Sequence, residues 1–135
     1  MISSHIEPAH RLITTRLAGR LSPQDLAAQL YRIIRDPKFT ADLNGMIVAL
    51  DAESIPTAAQ FALLRPILKL WLTQRSGARW AVVVPNAQAR DVVESWMHEL
   101  HVTAVTKCFT SEGAALAWLM AAPMEAPRPP HSPSP

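Results

Sequence analysis

The fold of this chain is decided by residues 109–119, which read FTSEGAALAWL. The segment begins at the end of a predicted strand and continues into a short helix, expected from about Ser111 to Met120, that closes on Trp118 and Leu119. Immediately afterwards the chain becomes rich in proline, which cannot continue a helix. We therefore expect this helix to seal a sheet after its last strand.

The composition predicts one folded domain over residues 1–120 and a disordered tail over residues 121–135. The chain has 135 residues, of which 49% are hydrophobic and 18% are charged, as in an ordinary globular domain. The tail holds half of the 12 prolines and almost no large apolar side chains, so it cannot form a hydrophobic core.

Charge and apolar patterning argue against several classes of protein. The chain has 13 Lys and Arg residues against 11 Asp and Glu residues, and they are scattered, so we expect no nucleic-acid binding. The longest apolar stretch, 61–72, is interrupted by Arg65, Pro66 and Lys69, so we expect no transmembrane segment. No secretory signal is visible at the start of the sequence, which predicts a cytoplasmic protein.

The first part of the chain predicts a β-hairpin followed by a helix. Two extended runs, 3–7 and 10–18, are separated by a break short enough for a hairpin connection. After a glycine turn, Ser22 is a favourable N-cap, Pro23 suits the first helical position and Asp25 completes a capping box. Three such signals within four residues make this a well-defined helix start.

Two central strands follow from continuous apolar runs. Residues 46–50 and 80–84 are too short for helices and show no alternation, so they predict strands that are buried on both faces. Residues 51–56 are expected to form a loop, and residues 103–109 to form a last strand with more alternation.

Two further helices lie between these strands. Thr57 opens a second capping box, and Pro66 is expected to kink the helix that follows it or to shift its boundary. The third helix has the cleanest amphipathic pattern, formed by Ala89, Val92, Val93, Trp96, Met97 and Leu100. The resulting order, β-β-α-β-α-β-α-β-α, predicts an α/β fold with a single-layer, mixed but mainly parallel sheet flanked by helices.

Four motifs in this order resemble the SpoIIAA-like branch of the STAS superfamily. They are AGRLS at 18–22, VALD at 48–51, AVVV at 81–84, and KCF followed by EGAALAWL within 107–119. The resemblance covers about residues 3–120. It implies a small module of regulation or protein interaction without an established common enzyme activity, and a fold that is also similar to lipid-binding CRAL-TRIO domains.

The resemblance also suggests a phosphorylation site at the start of the second helix. Antagonist STAS domains carry a phosphorylated Ser or Thr there, within an Asp-Ser-Ser/Thr-Gly type of motif. Residues 51–58 of this chain, DAESIPTA, lack the Asp-Ser pair and the glycine. Ser54 and Thr57 are the two local hydroxyl groups, and the hydroxyl of Thr57 already has a role as a helix cap.

A ligand or partner surface is predicted near the second helix. In open α/β sheets, ligands bind beyond the carboxyl ends of the strands, where this sequence places Asp51, Glu53 and Asn86. The helix itself presents an apolar face that could line a pocket, contact a partner or simply cover the sheet. That face is formed by Phe61, Leu64, Leu68 and Trp71.

Motifs for enzyme chemistry and metal binding are weak. No phosphate-binding or nucleotide-binding glycine pattern and no nucleophile elbow occurs. His98 and His101 are the only close histidine pair, and no third ligand is evident. Cys108 lies within a predicted strand without a neighbouring His, which favours a core residue over a nucleophile.

We therefore expect a regulatory or protein-interaction module without catalytic residues, metal or cofactor, for which a dimer is one expected form. The alternative hypothesis is a carrier of a small apolar ligand or lipid, with its pocket near the second helix. An enzyme with an unrecognised site at the strand ends remains a third hypothesis.

Overall fold

A five-stranded sheet with helices on both faces forms the structure, a computed structural model that describes residues 1–40, 42–52, 57–73, 78–102 and 105–121. The predicted order of elements is confirmed. In chain order they are β1 (Ile2–Glu7), β2 (Leu12–Gly19), α1 (Pro23–Ile34), β3 (Asn44–Ala52), α2 (Ala58–Thr73), β4 (Trp80–Val83), α3 (Ala87–Glu99), β5 (Thr106–Phe109) and α4 (Glu112–Met120).

The strands lie side by side in the order in which they occur along the chain. β1 is antiparallel to β2, with Ile6 opposite Ile13, and every later pair is parallel. This arrangement confirms the mixed, mainly parallel sheet. Because parallel crossovers are right-handed, a consecutive strand order places α1, α2 and α3 on the same face of the sheet.

The hairpin connection is longer than the sequence pattern suggested. Pro8–His10 form one turn of 3₁₀ helix, and Arg11 adopts a left-handed conformation with φ of 52°. β2 therefore begins at Leu12 and not at residue 10. The proline supports this turn because its φ is already restricted to helical values.

α1 begins as its capping signals predict. The Ser22 hydroxyl oxygen accepts a hydrogen bond from the backbone N–H of Asp25 at 3.1 Å, and Pro23 is the first helical residue. Gly19 precedes this start with φ of +72°, a conformation in which a side chain would be strained. The glycine turn is thus required by the backbone path from β2 to α1.

β3 is longer than predicted, because residues 51 and 52, expected in a loop, continue the strand. Asp51 pairs with Ala18 and Ala52 with Gly19, beyond an irregularity in the ladder with β2. Polar character at Asp51 does not end the strand, since its side chain is exposed while the backbone is paired. The last strand, β5, begins at Thr106, and residues 103 and 104 lie outside the described residues.

α2 starts at the predicted capping box but does not break at its proline. The Thr57 oxygen accepts the N–H of Gln60 at 3.2 Å, and the Gln60 side-chain oxygen accepts the N–H of Thr57 at 2.9 Å. The helix runs continuously past Pro66, so the proline does not shift its boundary, and the alternative expectation of a kink stays a prediction. Pro66 is exposed, and its ring lies on the side of the helix away from the sheet.

One face of the sheet, called here the α1–α3 face, carries most of the core. α1 and α2 pack on the first three strands and β4, and α3 packs on β4 and β5. The two clusters on this face bury Ile6, Ile13, Leu30, Ile33, Leu43, Leu64, Ile67 and Trp80, and then Val84, Ala89, Val93, Met97 and Cys108.

The opposite face, called here the α4 face, is covered by α4 alone among the described helices. Ala115 and Leu119 of α4 pack against Ala81 and Val83 of β4 and against Val48 of β3. All five residues are buried, and Ala81, Val83 and Ala115 have no accessible surface. The helix predicted from residues 111–120 therefore does seal the sheet, as its sequence suggested.

The carboxyl end of α4 is tied to the start of β3 and β4. The Asn44 amide donates to the carbonyl of Leu119 at 3.1 Å, and its oxygen accepts the backbone N–H of Arg79 at 2.9 Å. The Arg79 guanidinium donates to the carbonyl of Trp118 at 2.6 Å and lies 5.3 Å from the centre of the Trp118 ring. These bonds satisfy carbonyls that a helix end would otherwise leave unpaired.

We predict that Asn44→Ala lowers the free energy of unfolding by about 1–3 kcal/mol, because it leaves two partly buried backbone groups without their partner. Chemical denaturation measures the difference. Gln24→Ala, at an exposed position of α1, serves as the control and should change the free energy by less than about 0.5 kcal/mol. Equal values for the two variants would show that the link between α4 and the sheet does not stabilise the fold.

Candidate functional site

Three polar residues at the carboxyl ends of the strands act as helix N-caps. Asn86 accepts the N–H of Ala89 at 2.8 Å, and Ser111 accepts the N–H of Ala114 at 3.3 Å. Thr57 caps α2 in the same way. The side-chain oxygens of these residues already hold hydrogen bonds within the fold, which is the ordinary role of such residues at helix starts.

The predicted phosphosite and acidic residues are only partly described. Glu53 and Ser54 lie outside the described residues. Asp51 is exposed at the end of β3, and Thr57 is exposed at the start of α2. The Thr57 hydroxyl already accepts the N–H of Gln60 as a helix cap, and phosphorylation would replace that cap.

An ion pair at this edge of the sheet joins residues that are 96 positions apart. Arg16 in β2 donates two parallel hydrogen bonds to the Glu112 carboxylate at the start of α4, at 3.0 and 2.7 Å. This bidentate contact lowers the pKa of Glu112, chiefly through the hydrogen bonds, and raises the pKa of Arg16. Asp51 is close enough to add to the effect on Arg16. Sequence reasoning missed the pair because nothing local to either residue indicates the other.

We predict that Glu112→Gln destabilises the protein by about 0.5 kcal/mol at pH 7, as expected for a partly exposed ion pair. The pKa of Glu112 is lower in the folded state, so the stabilisation is present above the ordinary glutamate value of about 4.5 and is lost as pH falls through the folded value. Chemical denaturation of the wild-type protein and the variant between pH 7 and pH 3 measures how their difference in the free energy of unfolding decreases. Asp91→Asn, at an exposed acid of α3, is the control, and a Glu112→Gln effect that persists undiminished at pH 3 would contradict the prediction.

The predicted apolar face of α2 points into the molecule. Phe61 and Leu64 are buried and Leu68 is half-buried, while the side chain of Trp71 lies outside the described part of the structure. Phe61 stacks on Trp96 of α3, with ring centres 4.6 Å apart and planes within 8°. Phe61 and Leu64 therefore do not form an outer surface that a protein partner could contact, and they remain available to a ligand inside the fold.

Phe61, Leu64 and Leu68 line a partly open apolar cavity of about 170 Å³ between the helices and the α1–α3 face. Leu30 of α1, Trp96 of α3 and Val82 of β4 contribute further apolar walls. Three buried polar residues, Thr15, Gln29 and Thr106, also reach the cavity. The sequence indicated an apolar pocket near α2, but the contributions of α1, α3 and β2 depend on how the helices pack.

An apolar surface on α4 was not expected from the sequence. The side of α4 turned away from the sheet, called here the outer α4 patch, consists of Gly113, Ala114, Leu116, Ala117 and Met120. All five are exposed, with Leu116 at 39% and Met120 at 43%. Glu112 is the only charged residue of this helix, which is thus apolar on both its inner and outer sides.

Cys108 is a core residue, as its sequence context suggested. It lies in β5 and packs with Val93 and Met97 of α3. Burial raises the pKa of its thiol to about 11, so almost none is ionised at neutral pH.

We predict that the Cys108 thiol reacts with a thiol-specific disulfide reagent at pH 8 at least a hundredfold more slowly in the native protein than in denaturant, because it is both buried and protonated. Absorbance of the released thiolate measures both rates. Rapid native labelling would show that this part of β5 opens readily or that the thiol is activated. Glutathione is a suitable reference for an unhindered thiol.

Among the described residues, the histidine pair is not part of a group that could hold a metal ion. His98 and His101 are both exposed at the end of α3. Across the described ranges, no group of three or more His, Cys, Asp and Glu side chains is close enough to hold a metal ion.

Comparison with known proteins identifies the fold. No protein-family model matches this chain, and no curated protein matches it. Among solved structures, the chain is similar to an uncharacterized protein of the DUF3478 family with a SpoIIAA-like fold from Shewanella loihica PV-4. The TM-score is 0.60 at 17% sequence identity, over 87% of this chain and 93% of that chain.

The protein is thus an α/β domain with a SpoIIAA-like fold, as the sequence resemblance predicted. At this level of identity the likeness defines the architecture and not an activity, since one fold supports many functions. In the part of the chain that the structure describes, no helix has the length and apolar character needed to cross a bilayer.

Proposed function

We propose that this protein is a non-enzymatic interaction module that binds a protein partner through the outer α4 patch. The observation that supports the proposal is the composition of α4. A helix that is apolar on all sides is normally buried on all sides, whereas α4 buries only the side that faces the sheet. A contiguous exposed apolar patch is one of the features that mark a surface covered by another molecule.

The surroundings of the patch resemble the rim of a protein interface. α4 packs on β3, β4 and β5. Beside it, β1 and β2 present Ser3, His5 and Arg16 to solvent on the α4 face. Interfaces typically combine an apolar centre with a polar, charged rim, and this face has that arrangement. The Arg16–Glu112 pair at the start of α4 would lie at the rim.

A double variant tests the proposal. Leu116→Gln with Met120→Gln removes the two largest apolar side chains of the patch at positions that do not contribute to the core. Native mass spectrometry of the protein purified from the cells that naturally produce it is expected to show a dimer or a complex with another protein. The double variant should reduce that species by at least fivefold.

Val92→Gln is the matched control, because it removes an exposed apolar side chain from α3 instead of α4. It should leave the complex unchanged. A wild-type protein that is only monomeric, or a complex that survives in the double variant, would contradict the proposal. Unchanged denaturation midpoints would confirm that all variants remain folded.

Regulation by phosphorylation at Ser54 or Thr57 is the part of this proposal that rests on the resemblance to STAS domains. The exposure of Thr57 supports it. The phosphomimetic changes Ser54→Asp and Thr57→Glu should weaken the complex if either hydroxyl is a switch, through like-charge repulsion and desolvation. Unchanged partner binding by both variants would count against it.

A carrier of a small apolar ligand is the second candidate function, and the cavity beneath α1, α2 and α3 favours it. Its volume of about 170 Å³ is below the roughly 300–1,000 Å³ of pockets that hold drug-sized molecules. It is similar to an engineered apolar cavity of about 150 Å³ that binds benzene. The cavity therefore favours a small molecule over a lipid.

A further inference from the structure

A chain of hydrogen bonds runs along one wall of the cavity. Arg32 of α1 donates to the side-chain oxygen of Gln29 at 2.9 Å, and the Gln29 amide nitrogen donates to the Ser4 hydroxyl at 2.7 Å. The Ser4 and Thr15 hydroxyl oxygens are 2.9 Å apart. Gln29 and Thr15 are buried at 8% and 9% exposure, and both line the cavity.

This chain of bonds leaves hydrogen-bond donors unused. The Gln29 amide nitrogen has two hydrogens, and one of them goes to Ser4. The Ser4 and Thr15 hydroxyls have two hydrogens between them, and their mutual bond uses one. Within the described residues, the second hydrogen of Gln29 and one hydroxyl hydrogen therefore have no acceptor. When Ser4 donates to Thr15, the free hydroxyl hydrogen belongs to Thr15, which is buried and lines the cavity as Gln29 does. Buried donors without acceptors are costly, so a ligand that supplies an acceptor would be favoured.

The orientation of the Gln29 amide follows from its partners. Arg32 can only donate, so it holds the amide oxygen on its own side. The amide nitrogen is thereby directed towards Ser4 and the wall formed by β1 and β2. A ligand atom at this wall would meet donors and no unused side-chain carbonyl.

The remaining walls exclude a charged ligand. No Asp, Glu, Lys, Arg or His is among the described residues that line the cavity. An ionised group would lose its hydration without gaining a counter-ion, which is strongly unfavourable. The apolar walls are formed mainly by Leu30, Phe61, Leu64 and Trp96.

We propose that the cavity binds a neutral apolar molecule about the size of a single aromatic ring, which carries one hydrogen-bond-accepting oxygen that Gln29 and Thr15 hold. This proposal deepens the second candidate function and rests on the cavity being a ligand site. Ketones, esters and ethers have the required chemistry. Hydrocarbons lack the acceptor, and carboxylates carry a charge that the walls do not balance.

Three probes of similar shape separate these classes: acetophenone, cumene and benzoate. Titrations followed by protein NMR at pH 7 report both affinity and location, through shifts of residues on the cavity walls. We expect acetophenone and cumene to bind, and benzoate to give no saturable shifts. Because cumene is the more apolar molecule and acetophenone loses hydrogen bonds to water on binding, the polar contact is tested by the variants and not by the ratio of the two affinities. A cavity-filling variant, Ala49→Leu in β3, should weaken binding of both uncharged probes.

Two variants test the polar contact itself. Thr15→Val and Gln29→Met keep the approximate shape of each side chain but remove its donors, so each should weaken acetophenone binding about three- to tenfold. Cumene binding should change less than twofold. Thr14→Val is the matched control, since Thr14 is the neighbouring residue of β2 and faces the opposite side of the sheet.

The outcomes separate the two proposals. Equal losses of acetophenone and cumene affinity in Thr15→Val and Gln29→Met would overturn the polar contact while leaving the cavity as a ligand site. The absence of shifts on the cavity walls with every probe would overturn the second candidate function as well. Denaturation midpoints identify any variant that fails to fold, and the Thr15→Val and Gln29→Met measurements stand independently of each other.

Discussion

The structure depends on one constraint: β3 and β4 are apolar on both faces, so both faces of the sheet must be covered. Met46, Val48, Ala81 and Val83 point to one side, and Ile47 and Val82 point to the other. Right-handed crossovers in a consecutive strand order place α1, α2 and α3 on the same side. The other side is covered by the helix that follows β5, which makes α4 indispensable despite its nine residues.

The contacts at the two ends of α4 reflect its position as the helix that covers this side of the sheet. A nine-residue helix is too short to be stable alone, so packing and contacts at its ends must maintain it. Arg16 pairs with Glu112 at its start, while Asn44 and Arg79 bind its last carbonyls. Because one helix covers only part of the α4 face, the adjoining surface of β1 and β2 is polar. The apolar outer side of α4 has no role within the described fold, and this supports its proposed role in binding a partner.

Local sequence patterns predicted which helices and strands form, but they predicted the first and last residues of these elements less accurately. Ser22 and Thr57 start helices where their capping patterns indicated, because a cap depends on residues within one turn. Asp51 was expected in a loop but extends β3, since pairing with Ala18 outweighs its low strand propensity. Among the predicted site residues, Asn86 is a helix cap, and Phe61 and Leu64 are walls of the cavity. Their chemistry was evident from sequence, whereas their surroundings were not.

The sequence by itself determined the order of strands and helices, the buried character of β3 and β4, and the closing role of the final helix. These features follow from capping, apolar runs and turns, which act over a few residues. Only the tertiary structure decided that Arg16 meets Glu112, that Gln29 meets Ser4 and Thr15, and that one side of α4 stays exposed. The physical reason is that such contacts join elements distant in sequence, and they exist only after the sheet and its two layers of helices have assembled.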